Sequence, residues 1–118
     1  MEMDDTTAGH LQELRRGTVV LACLLSLRSP DYGYALLERL ATLGFATDAG
    51  TLYPLLRRLE KQGFLTSTWN TDEARPRKFY QTSPYGLALA HALLNDWSAI
   101  ADSISALTSG HGESGDES

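Results

Sequence analysis

Thr51-Leu-Tyr-Pro-Leu-Leu-Arg-Arg-Leu-Glu-Lys-Gln-Gly-Phe64 is the stretch on which the reading of this chain turns. Leu52, Leu55, Leu56 and Leu59 recur at helical spacing, so one face is apolar and must be buried. Arg57, Arg58 and Lys61 fall outside that stripe and stay in solvent. The helix stops at Gly63 and runs into a strand, Phe64 to Trp69. A second charged group, Arg75, Arg77 and Lys78, opens another strand that continues through Gln81. A basic helix followed by a basic-tipped hairpin is the pairing that a winged helix-turn-helix needs. The helix enters a DNA groove while the hairpin tip rests on phosphates.

Net charge argues the other way at first, because the chain carries −5. Its distribution removes the objection. All ten Lys and Arg lie between Arg15 and Lys78, where residues 11–83 set them against seven acids. The remaining eight acids fall in the first ten residues and from 84 onward, where there is no Lys or Arg at all. Such asymmetry marks a basic working surface on an acidic body. At 118 residues the chain reads as one domain. The uncharged run Gly17 to Leu27 is too short to span a bilayer, and it lacks the pattern of a signal peptide. With Cys23 as the single cysteine there is no disulfide framework, and a cytoplasmic location is expected.

The punctuation of the chain predicts its elements. Residues 1–10 read as a disordered polar tail and 11–83 as the DNA-binding domain. A first helix is expected from about Leu11 to Leu27, with Gly17 inside it. A second, Tyr32 to Leu43, would bury Tyr34, Leu37, Leu40 and Ala41 and close on Gly44. A third starts near Asp48, with Thr47 or Asp48 as cap and a loosened first turn because of Pro54. It ends at Gln62 with Gly63 as cap. The hairpin spans 64–82. Ser83 before Pro84 is a strong helix start, the last helix runs over 84–108, and 109–118 read as an unstructured tail. The fold class is mainly α with a small β-hairpin, a winged helix-turn-helix plus a C-terminal dimerisation helix.

Four motifs, in order, resemble those of PadR-type transcriptional regulators. They are Tyr32-Gly-Tyr-Ala-Leu36, Gly50-Thr-Leu-Tyr-Pro54, Leu56-Arg-Arg-Leu-Glu60 with Gly63, and Pro76-Arg-Lys-Phe-Tyr80. Length and a single C-terminal helix resemble the short subclass of that family. The resemblance implies a dimeric DNA-binding repressor that often responds to a small ligand, and it implies that Thr51 and Tyr53 lie near the phosphate backbone. Tyr53 reads equally well as core. Thr82 and Ser83 depart from the family pattern, which has an aliphatic residue and then threonine there.

Roles follow from position. Arg57, Arg58 and Lys61 are expected at the groove and its phosphates, arginine being suited to two-point pairing with guanine. Arg75, Arg77 and Lys78 read as the wing. One of Phe79 and Tyr80 should be core, and Trp69 should pack in the hairpin. In the last helix, Leu87, Ala90, Leu94, Trp97, Ala101 and Ile104 alternate spacings of three and four, and Leu93, Ile100 and Leu107 form a second row. This is a heptad-like seam for pairing with a second copy. By the resemblance, Trp97 and its symmetry mate would form a slot for a planar aromatic effector; without a ligand, Trp97 reads as an interface anchor.

Enzymatic chemistry finds no constellation. His10, His91 and His111 are scattered, Cys23 sits in an apolar run, and no glycine-rich phosphate loop is present. No cofactor and no metal site is expected, because one Cys and three distant His supply no cluster. The expected partners are double-stranded DNA with a two-fold symmetric operator, a second copy of the chain and a small effector, with no membrane. The alternative is a winged-helix module that binds protein instead of DNA, for which only the overall acidity speaks.

Overall fold

The structure, a computed structural model, describes residues 4–45, 47–72 and 74–114, with side chains described to residue 109. Its elements run α1 (Asp5–Arg16), α2 (Val19–Ser26), β1 (Asp31–Tyr32), α3 (Gly33–Thr42), α4 (Ala49–Lys61), β2 (Leu65–Asn70), β3 (Arg77–Thr82) and α5 (Pro84–Ser114). The hairpin belongs to a three-stranded antiparallel sheet of order β1-β3-β2. In it Asp31 pairs with Tyr80 and Tyr32 with Phe79. Two residues are too few to display an alternating pattern, so the sequence presents β1 only as part of a break.

Helix α4 forms as its residues dictate. Asp48 caps α4, its Oδ1 accepting from the Thr51 N–H at 2.8 Å. The Thr51 and Leu52 amides both reach the Asp48 carbonyl, at 3.1 and 2.8 Å, which leaves a tightened first turn ahead of Pro54. Gly44 and Gly63 take φ of +92° and +89° just past the ends of α3 and α4, a conformation that a Cβ would penalise. Leu52, Leu55, Leu56 and Leu59 are buried. Together with Leu24 and Leu27 of the α2 segment, Leu36 and Leu40 of α3 and Leu65 of β2 they make one core. Cys23 lies in that core, and burial pushes its thiol up to about 12, so the thiolate that reactivity requires is scarce at neutral pH.

Several helix assignments need correction. The single helix expected over 11–27 is two. Thr18 donates both its N–H and its hydroxyl to the Arg15 carbonyl, at 2.9 and 2.6 Å, and this local competition ends α1. Residues 5–10, expected to be a tail, are helical because Asp4 accepts from the Thr7 N–H at 2.8 Å and caps the first turn. Arg15 and Arg16 suit the negative end of the same helix. Leu14, expected on a buried surface, is 70% exposed. In α3 the buried residues are Gly33, Leu36 and Leu40, whereas Tyr34 and Ala41 face solvent. Tyr34 bonds Glu38 one turn on, which raises its phenolic pKa. At the other end α5 continues to Ser114, beyond the expected 108. Residues 1–3 and 115–118 of the two expected tails lie outside the described residues.

The wing is sewn to the helices by the two residues that depart from the family pattern. Thr82 donates its hydroxyl to the Leu24 carbonyl at 2.7 Å and its N–H to the Leu27 carbonyl at 2.9 Å. Ser83 Oγ accepts from the Gly86 N–H at 3.0 Å, capping α5, and donates to the Gly63 carbonyl at 2.6 Å. From this root α5 packs on α2 and then leaves the domain. The radius of gyration is 18.2 Å, against roughly 13–14 Å for a compact chain of this length.

Candidate nucleic-acid interface

Helices α3 and α4, joined through residues 43–48, form the helix-turn-helix, and the β2–β3 hairpin lies beside α4. Because the apolar stripe of α4 is consumed by the core, its remaining face carries Thr51, Arg57, Arg58 and Lys61, all exposed. Tyr53 is half-buried and packs against the start of α3. A Cβ added at Gly33 would meet its Cε1 at 2.5 Å. The tyrosine therefore supports the α3–α4 corner while one edge remains open.

The three wing cations do not act as one group. Arg75 is exposed near the hairpin tip. Arg77 lies 3.6 Å from the ring centroid of Tyr32, which itself stacks on Phe79 at 4.2 Å. Asn70 Nδ2 donates to the Tyr32 hydroxyl at 2.9 Å and completes this small cluster. Lys78 turns the other way: its Nζ is 3.2 Å from Glu60 Oε1, and it lies 5.2 Å from the centre of the Tyr80 ring. Glu60 Oε2 also accepts from Ser67 Oγ at 2.5 Å. The Ser67 hydrogen bond holds the Glu60 carboxyl below the usual carboxylate range; desolvation opposes it, and the hydrogen bond and charge of Lys78 add smaller lowering effects. Burial pulls the Lys78 ammonium down, but the Glu60 hydrogen bond and the charges of Tyr80 and Glu60 outweigh it, so its pKa is raised. The sequence pattern groups all three wing cations as phosphate contacts and gives Glu60 no role.

Two aromatic expectations meet different outcomes. Tyr80 is the core member of the Phe79–Tyr80 pair. Trp69, expected to pack in the hairpin, is 63% exposed, near the end of β2 and opposite Lys78.

Along α5, the expected seam divides. Ala90 is fully buried within the chain's own core, and Leu89 and Leu93 pack against that core. Ala90 is thus taken up by the intrachain contact with α2 and is not available to a second copy. Leu87 and Ala101 are half-buried. Leu94, Trp97, Ile100, Ile104 and Leu107 are exposed, Trp97 by 50% and Leu107 by 72%. Leu94 and Trp97 wall one side of an open cavity of about 860 Å³ whose other walls include Leu14, Leu21, Leu25 and Leu43.

A helix-turn-helix with a cationic outer face and an adjoining hairpin defines a winged-helix transcription factor. The chain belongs to the transcriptional regulator PadR-like family, whose model matches residues 20–92. It is 33% identical over 93 residues to the transcriptional regulator Rv3488 of Mycobacterium tuberculosis, covering 78% of this chain and 84% of that one. A PadR family transcriptional regulator from Eggerthella lenta is 44% identical, with a TM-score of 0.85 over 89% of this chain and 94% of that one. A PadR-like regulator from Bacillus cereus, at 24% identity and a TM-score of 0.74, shares the fold over 81% of this chain and 96% of its own. The family is one of regulators of transcription, not of enzymes. Among the described residues no helix is long and apolar enough to cross a membrane.

Proposed function

We propose that this protein is a cytoplasmic, dimeric, sequence-specific DNA-binding repressor, with residues 11–83 as its DNA-binding unit and residues 84–108 carrying the dimer. The observation behind this reading is the split of α4 into two faces. Four leucines anchor it in the core, and Thr51, Arg57, Arg58 and Lys61 are left for the groove, with Tyr53 at the flank and Arg75 and Arg77 on the wing. Arg58 is assigned to a base edge, and Arg57, Lys61 and Arg75 to phosphates.

The surface area supports a dimer. The chain exposes 8186 Å², whereas a compact monomer of its mass exposes roughly 6,300 Å². An excess of roughly 1,900 Å² per protomer falls in the range that permanent interfaces cover. Leu94, Trp97, Ile100, Ile104 and Leu107 are the apolar part of the exposed surface of α5 that a second copy would cover. A two-fold dimer would offer two copies of α4 to successive major grooves.

Fluorescence anisotropy with the duplex upstream of the protein's own gene and with a shuffled duplex tests this reading. The expected result is saturable binding at least ~10³-fold tighter on the first, by a species that sediments as a dimer. Equal binding to both duplexes overturns the assignment of specificity, and a monomer at micromolar concentration overturns the dimer. Leu94→Asp, which places a charge in an apolar interface, should sediment as a monomer.

The effector site is assigned to Trp97 and the cavity beside it. Planar aromatic compounds are expected to quench part of the tryptophan emission, and Trp97→Ala to remove the response, with Trp69 unaffected. Release from DNA would follow from a shift of α5, and the two ligands must then oppose each other reciprocally. Unchanged emission across a panel of such compounds would reduce Trp97 to an interface anchor.

A further inference from the structure

The adjacent wing cations Arg77 and Lys78 occupy one strand, so alternation sends them to opposite faces of the sheet. Lys78 shares its face with Tyr80 and Thr82, both buried. Arg77 takes the other face, over Tyr32. The two side chains therefore cannot reach the same stretch of DNA backbone together. On its own face Lys78 meets Glu60, the only carboxylate of α4.

Both oxygens of that carboxylate are committed. Oε1 faces Lys78 Nζ at 3.2 Å, and Oε2 accepts from Ser67 Oγ of β2 at 2.5 Å. The side chains of Lys78 and Glu60 are 29% and 32% exposed, so water reaches the pair only in part. One residue of the DNA-reading helix thereby links both strands of the hairpin. A DNA phosphate that drew Lys78 away would leave Glu60 facing the negative backbone with only a hydroxyl for company. That exchange trades one anion for another and adds a repulsion.

We infer that Glu60 is a positioning residue that sets specificity. It withholds the Lys78 ammonium from phosphate and fixes the wing against α4. This inference deepens the DNA-binding reading above and rests on it. Attraction to phosphate is common to all sequences, so a cation held back lowers non-specific binding more than it lowers the reading of base edges. The rigid link also keeps the wing's other contacts in one register with the groove contacts of α4.

Anisotropy titrations with the wild type, Glu60→Gln, Lys78→Gln and the double variant test this, on operator and shuffled duplexes between 50 and 200 mM salt. Glutamine keeps the shape of Glu60 and can still accept from Ser67. Lys78→Gln alone should leave the salt slope unchanged, because the lysine neutralises no phosphate, and should weaken both duplexes by no more than about threefold, through the Glu60 charge it uncovers. Glu60→Gln should tighten binding to the shuffled duplex about tenfold or more and steepen the slope by about 1.8, two freed lysines per dimer at about 0.9 each. Adding Lys78→Gln to it should undo both changes. The preference for operator should narrow in Glu60→Gln alone. Thermal melts of all four proteins separate these effects from unfolding, and Lys78→Gln, at a partly exposed site, decides the question even if Glu60→Gln proves unstable. If the wild type binds DNA but Lys78→Gln alone costs tenfold and flattens the slope, Lys78 is an ordinary phosphate contact and this inference falls by itself. If the wild type binds neither duplex at 50 mM salt, the functional reading falls and takes the inference with it.

Discussion

Raising the salt from 50 to 200 mM should weaken the complex with operator about 10³-fold. The figure follows from the three phosphate contacts proposed for each half-site, Arg57, Lys61 and Arg75, since a dimer would then neutralise six at a slope of about 0.9 each. The formal charge of −5 does not soften this, because residues 11–83 hold all ten Lys and Arg against seven acids. Arg58→Ala should behave differently. If Arg58 meets a base edge, its loss costs about 1–3 kcal/mol on operator and leaves the slope and the shuffled duplex almost unchanged. Lys61→Ala should weaken both duplexes alike and lower the slope by about one per subunit. An affinity that stays flat across the salt range would remove phosphate contact from the account altogether.

Gly86→Ala should be among the most damaging single-methyl changes in the chain. In most helix interiors this substitution is favourable by about 1 kcal/mol. Here a Cβ would stand 2.1 Å from the Phe64 carbonyl oxygen, 2.8 Å from Thr82 Cγ2 and 3.0 Å from the Phe64 carbonyl carbon. Two of those three atoms are backbone and cannot step aside. The same carbonyl accepts from the Ser83 N–H at 3.0 Å, so moving it disturbs the root of α5 as well. Overpacking of this kind costs about 1–3 kcal/mol and at times more. The steric term outweighs the helix preference, and Tm should fall by about 4 °C per kcal/mol lost. An unchanged or higher Tm would mean that the α5 root is looser than its hydrogen bonds imply.

How far the sequence can be read depends on the range of each signal. The α4 stripe, its Asp48 cap, the glycines after α3 and α4 and the Ser83–Pro84 start are local, each decided within a few residues, and each stands in the structure. The cap at Asp4 is just as local. The acidic composition of its segment masks it, although an Asp three residues before Thr7 is the available signal. The break at Thr18 competes with a continuous apolar run that looks like one helix. Strand β1 has only two residues and exists because β3 offers it an edge, which no local pattern reports. The same holds for the candidate site. Alternation along β3 separates Arg77 from Lys78, but the partner of Lys78 lies eighteen positions earlier on another element. Ala90 fits a heptad seam and fits the α2 contact equally well, and only three-dimensional packing assigns it to the latter.

The reach of α5 has a mechanical consequence. Its 31 residues measure roughly 46 Å, and only the first few turns rest on the domain that would hold the DNA. A rod fixed at one end is a lever. A tilt of about 5° beyond Leu93, where α5 leaves the core, would carry the far end about 3 Å, given a free arm of about 32 Å at 1.5 Å per residue. In the proposed dimer, length would therefore set the gain with which a small change near Trp97 becomes a change of spacing between the two copies of α4. Seven residues are close to two full turns, so a chain with one heptad fewer beyond Trp97 would keep its apolar stripe within about 20° of its present facing. Its arm would be shorter by about 10 Å, and the gain would fall in proportion.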